Sequence, residues 1–146
     1  MSSRGITWPS GPAYLAGAMR GRPEFSFPAF FAAEAELMDD GVDVYNPARA
    51  DELMGFKWQG TTGNESAEFL EQYGITIRKC LELDLGYICS RAKWLCLLPG
   101  WSESKGVRAE IATALAIGIP IVEYETGMAI NPDLVYEHEE ASCVRT

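Results

Sequence analysis

Short apolar runs alternate with longer amphipathic stretches along this chain. Ala13–Gly17, Val42–Tyr45, Trp94–Leu98 and Pro120–Tyr124 are too short for helices and too apolar for loops, so they read as buried strands. Between them, Ala29–Asp40 places Phe30 with Leu37 and Phe31 with Met38 at seven-residue spacing, the mark of a helix, with Pro28 suited to its first turn and Gly41 to its stop. Ser66–Tyr73 predicts a short helix closed by Gly74, Ile75–Arg91 the main helix, and Val107–Ile117 a further helix ended by Gly118. Residues 48–64 show no clear period and contain Gly55, Gly60 and Gly63, so they read as a long loop. Strand and helix alternate throughout, which predicts an α/β fold: a single-domain, Rossmann-like (flavodoxin-like) parallel sheet flanked by helices. Residues 1–12 form an irregular lead-in, 13–125 the domain, and 126–146 an acidic, loosely patterned tail.

Composition narrows the function classes. The chain has 146 residues and a net charge of −9, with no cluster of Lys and Arg. A nucleic-acid polymer is therefore a poor partner, whereas a small phosphorylated ligand held by one or two local cations is allowed. Cys80, Cys89, Cys96 and Cys143 lack zinc-site spacing, and His138 is the lone histidine, so neither a metal nor a disulfide framework is expected. No secretory leader or membrane span is apparent, which makes the cytoplasm the expected location.

The chemistry concentrates in two helices. On Ile75–Arg91, the residues Ile77, Cys80, Leu81 and Ile88 share one stripe, and Asp84 sits within it. A carboxyl on a buried face must be paired, hydrogen-bonded or protonated. Pairing with Arg78 or Arg108, or capping a loop, would be structural; a raised pKa would suit a general acid. Glu110 shares a stripe with Val107, Ile111 and Ala114 at the start of the last helix. There it either complements the helix dipole or faces the crevice at the carboxyl ends of the strands. The preceding loop, Pro99–Gly106, offers an anion cradle through Ser102, Ser104 and the backbone near Gly106, with Ser104 as a plain helix cap the alternative. Arg20, after the first strand, is a second phosphate candidate, and a solvated surface Arg is its alternative. Tyr14 lies in the first strand, as core or reaching the crevice. Trp58 and Trp101 fall in loops, where they either pack or stack on a base, and Asn46-Pro47 reads as a turn.

These motifs in this order, YLAGAMRG at Tyr14–Gly21, Asp84, and SKGVRAE at Ser104–Glu110, resemble the nucleoside 2-deoxyribosyltransferase superfamily. The likeness is greatest to its 2'-deoxynucleoside 5'-phosphate N-hydrolases and to phage and bacterial relatives with an LPGWxxSKG signature. It implies Glu110 as the nucleophile at the sugar C1' carbon, Asp84 as the group assisting the leaving base, and Tyr14 as the residue orienting the glutamate. It also implies that Ser104 and Arg20 bind a 5'-phosphate; beside these, Gly17, Gly106, Ser102, Trp101 and Asn46 are the further candidates for binding the substrate or its phosphate. The expected activity is N-glycosidic cleavage of a (deoxy)nucleoside 5'-monophosphate, with base exchange or non-catalytic nucleotide binding on the same fold as alternatives. No cofactor is implied, and a homodimer or larger homo-oligomer is expected, the tail completing a neighbouring subunit's site. The segment Ser90–Lys93 departs from the family pattern, lacking the acidic residue common before the third strand.

Overall fold

The structure, a computed structural model, describes residues 3–131. Four parallel strands, β1 (Ala13–Ala16), β2 (Val44–Tyr45), β3 (Trp94–Leu97) and β4 (Ile121–Glu123), form one sheet in the order β2-β1-β3-β4. Five α-helices flank it: α1 (Phe27–Asp39), α2 (Pro47–Leu53), α3 (Ala67–Glu71), α4 (Ile77–Ser90) and α5 (Lys105–Ile117). The fold is the expected Rossmann-like α/β domain. Its strand order reverses between β1 and β3, and ligands of such sheets sit beyond the strand ends at that switch point.

The central strands are apolar because helices cover both of their faces. Every residue of β1 and β3 is buried. Alternation then sends Ala13 and Leu15 into one core and Tyr14 and Ala16 into the other. The first core is aromatic, built on Phe25, Phe27 and Phe30 of the α1 segment with Phe56 and Trp94. The second joins Leu95 and Leu97 to Ile88 of α4 and to Val107, Ile111 and Ala114 of α5. The described part of the lead-in, from residue 3, has no helix or strand but is packed: Trp8 stacks on Trp94 and Tyr124, and Arg4 pairs with Glu36.

Three local readings change. Residues 48–64 are not all loop, because the Asn46 side chain accepts from the Ala48 N–H and Pro47 supplies the first turn, starting α2. The Asn46-Pro47 pair is thus a helix start rather than a turn alone. β2 keeps only Val44 and Tyr45, since the Val42 N–H is spent on Leu37 at the end of α1. The stripe on α4 is also displaced. Ile77 is 82% and Leu81 36% exposed, and the covered residues are Cys80, Asp84, Leu85, Tyr87 and Ile88. Ser66, Thr76 and Ser104 each cap the helix that follows, accepting from a backbone N–H three residues on.

Candidate active site

The site is built around a tyrosine that sits in the middle of the sheet. Tyr14 pairs in register with Tyr45 on one side and Leu95 on the other. Its ring stacks on Tyr45 at 5.6 Å and tilts against Tyr87 of α4 at 6.4 Å, while Tyr45 and Tyr87 stack at 4.4 Å. The Tyr14 hydroxyl is wholly buried and makes no well-aligned hydrogen bond. Burial, reinforced by the negative charge of Glu110 and Asp84, holds its pKa well above the ordinary phenol value. The charges of both carboxyls act on this one hydroxyl.

Glu110 comes from the second turn of α5, where the Ser104 cap fixes the start of the helix and Val107 and Ile111 anchor its inner face. It is 8% exposed, and its Oε2 has no hydrogen-bond partner. Burial pushes its pKa up to about 8, with the charge of Asp84 adding to the rise and the Tyr14 hydroxyl opposing it. Asp84, from the neighbouring α4, is raised to about 6 by burial, again opposed by Tyr14. None of the ion pairs among the described residues involves Asp84, so the pairing with Arg78 or Arg108 does not form. Both carboxyls therefore lie near the Tyr14 hydroxyl, on the side of the sheet that α4 and α5 cover.

A third carboxyl joins them. Asp51 of α2 is raised to about 7, first by burial and then by the charge of Asp84. Sequence reasoning missed it because the segment was read as loop; the Asn-Pro start followed by ARADEL was the available signal. No group of three or more His, Cys, Asp or Glu among the described residues is arranged to hold a metal ion.

The remaining sequence candidates scatter around this centre. Ser104 is the α5 cap and half-buried, Ser102 lies in the turn before it, and Gly106 is exposed with room for a side chain. Trp101 is buried in the second core, and Trp58 packs on Phe27 and Phe31 while donating to Glu52, so both indoles are used in packing. Gly17 follows β1 where a Cβ would stand 3.1 Å from both Leu98 and Phe30. Arg20 is exposed and donates to the Glu65 carbonyl at 2.6 Å. Arg22, not Arg20, reaches the Ser104 loop: its guanidinium pairs with Glu103 at 2.8 Å and lies against Gly100, where a Cβ would come within 2.5 Å of it. Asn46 is buried, with its Nδ2 unpartnered. A cavity of about 340 Å³ lined by Ala18, Arg22, Ser26, Phe30, Leu98 and Tyr124 opens on the α1 side, away from the carboxyls.

Residues 12–123 match a family model described as a domain of unknown function, DUF4406. The chain belongs to this family. The DUF4406 match runs from just before β1 to the end of β4, so it spans Tyr14, Asp51, Asp84, Ser104 and Glu110 together. No curated protein and no solved structure matches the chain. No helix among the described residues is long and apolar enough to cross a membrane. The tail expected to complete a neighbouring site lies, from residue 132 onward, outside the described residues.

Proposed function

We propose that this DUF4406 protein cleaves the N-glycosidic bond of a (deoxy)nucleoside 5'-monophosphate. One observation carries the reading: Glu110 and Asp84, from consecutive long helices, converge unpaired on the Tyr14 hydroxyl at the sheet's switch point. Breaking a base–sugar bond builds positive charge at C1', which a carboxylate stabilises or traps, and the departing base takes a proton. Glu110 is the nucleophile and Asp84 the acid.

The protonation states fit this once the proton is followed. In the free protein Glu110 keeps its proton to about pH 8, whereas Asp84 loses its own near 6. Glu110 passes its proton to the Tyr14 oxygen as the Tyr14 hydroxyl proton moves to Asp84. That leaves a carboxylate at C1', a neutral acid beside the base and an unchanged tyrosine. Base release is therefore expected to be bell-shaped in pH. It falls below about 6, where every carboxyl is protonated, and above about 8, where none is. The Ser104 turn, with Ser102 and Gly106, holds the 5'-phosphate, the cation beside that loop being Arg22 where the sequence pointed to Arg20, and Gly17 and Asn46 border the sugar and base. Exposed Ile77, Leu81 and Leu83 on α4 and Leu115 and Ile117 on α5 support a homo-oligomer built on that surface, which sedimentation velocity would read directly.

The test is a panel of ribo- and deoxyribonucleoside 5'-monophosphates, with free base and sugar phosphate followed by chromatography. Release of base, lost in Glu110→Gln, is the expected result. Tight binding of a nucleotide that survives intact would make the protein a binder instead, and appearance of a new nucleotide when a second base is added would make it a transferase.

A further inference from the structure

At the carboxyl end of β2 the chain leaves the sheet through Asn46, directly after Tyr45, which pairs in register with Tyr14. Asn46 is 3% exposed, and its Oδ1 accepts the Ala48 N–H at 2.9 Å, the bond that starts α2. A backbone N–H is met by the oxygen of a side-chain amide and not by its nitrogen, so this amide is held one way round. Its Nδ2 is buried and has no partner. Among the described residues, the other buried side-chain polar atoms in that state are the Tyr14 hydroxyl and Glu110 Oε2, the two atoms on which the proposed site is built. Buried donors are nearly always paired, because an unpaired one forfeits its hydrogen bonds to water. An amide nitrogen left so at the end of a parallel strand is placed for a ligand, and as a donor it can be satisfied only by an acceptor.

The strand order fixes which part of a nucleotide this donor meets. Asn46 ends β2, Tyr14 belongs to β1 beside it, and the Ser104 turn follows β3. Adjacent strands lie about 4.8 Å apart, so the edge from β2 to β3 spans roughly 10 Å, the length of a nucleoside monophosphate. With the phosphate at the Ser104 turn and C1' beside Tyr14 and Glu110, the base lies over the end of β2. We propose that Asn46 selects the base: its Nδ2 donates to the exocyclic oxygen of a keto base, at position 4 of a pyrimidine or position 6 of a purine. This rests on the glycosidase reading and names its substrate class. Uracil, thymine and hypoxanthine carry an oxygen there. Cytosine and adenine carry an amino group, which would set one donor against another and leave both unpaired.

The experiment measures kcat/KM for uridine and cytidine 5'-monophosphates and their deoxy forms with wild type, Asn46→Ser and Asn46→Asp. Ser and Asp cap a helix about as well as Asn, so α2 keeps its start, which Tm checks. Wild type is expected to favour the uracil nucleotide by about tenfold or more, the usual cost of leaving a buried donor unmet. In Asn46→Ser that preference is expected to fall towards one. In Asn46→Asp, where the donor becomes an acceptor, it is expected to reverse. No preference in wild type, or one that survives in both folded variants, overturns the proposal. An equal loss on both bases also overturns it, because the contact is then with sugar or phosphate. If wild type releases no base from any nucleotide, the glycosidase reading fails, and calorimetry with the intact uridine and cytidine nucleotides decides the role of Asn46 on its own. Tighter binding of the uracil nucleotide, lost in Asn46→Ser, supports the base contact. Equal binding of the two, or none, sinks it.

Discussion

Two glutamates of equal exposure, 8% each, stand on opposite faces of this sheet. Glu34 of α1 meets Arg49 at 2.6 Å, and that guanidinium is held in turn by Glu52 and by the face of Phe31. Glu110 of α5 has a tyrosine hydroxyl and another carboxyl for neighbours, and an oxygen with no partner. The α1 face solves the problem of a buried acid as stable proteins usually do, with a cation. The α4/α5 face leaves it unsolved three times over, at Glu110, Asp84 and Asp51. Burial without compensation costs stability, and its recurrence in one corner is what the proposed chemistry rests on.

The contrast breaks first at the chemistry. Asp84→Asn keeps the shape but removes the acid, and base release is expected to fall by about a hundredfold or more, the usual range for a lost general acid, as read by initial rates. Stability should then separate the two glutamates in sign. The Glu110 carboxyl is raised in the folded state, so the folded protein binds more protons than the unfolded one between about pH 4.5 and 8. Stability is full below that window and is lost as pH rises through it. Glu110→Gln should therefore stabilise the fold at pH 8, by roughly 1–3 kcal/mol, and flatten the pH dependence of Tm. Arg49→Ala, which strands Glu34, should instead destabilise by about 1–2 kcal/mol, tempered because Arg49 is itself partly solvated. Equal signs for the two variants would remove the distinction between the faces. The smallest effect is expected at Ser104→Ala, about 1 kcal/mol from the lost α5 cap. In the same variant KM should rise more for a 5'-monophosphate than for the free nucleoside.

Much of this was legible in the chain because the signals were local. Short apolar runs, two of them broken by a single acid (Asp43 and Glu123), announced the four strands, and Gly118, at φ 79° just past α5, announced the end of that helix. Glu110 and Asp84 were legible as carboxyls on covered stripes. Helix periodicity alone could not say which half of α4 is covered, since Ile77 and Leu81 fit the stripe yet face outward. That depends on what α4 packs against, chiefly α5, and no residue of α4 encodes it locally. Asp51 was hidden for the opposite reason. Its helix is too short to show a period, and only the Asn46 cap and Pro47 announce it. Nor could spacing foretell that Arg22 would lie on Gly100, a contact between residues far apart in the chain that exists because glycine there leaves room for a guanidinium.

The most direct measurement is a single-turnover reaction of wild type and Glu110→Gln on the same nucleoside 5'-monophosphate. It is quenched in acid, with free base read by chromatography and the protein by peptide mass. Wild type is predicted to release base and to carry the pentose phosphate on the peptide containing Glu110, while Glu110→Gln does neither, slower by hundreds-fold or more. Base release from Glu110→Gln at the wild-type rate would contradict the account.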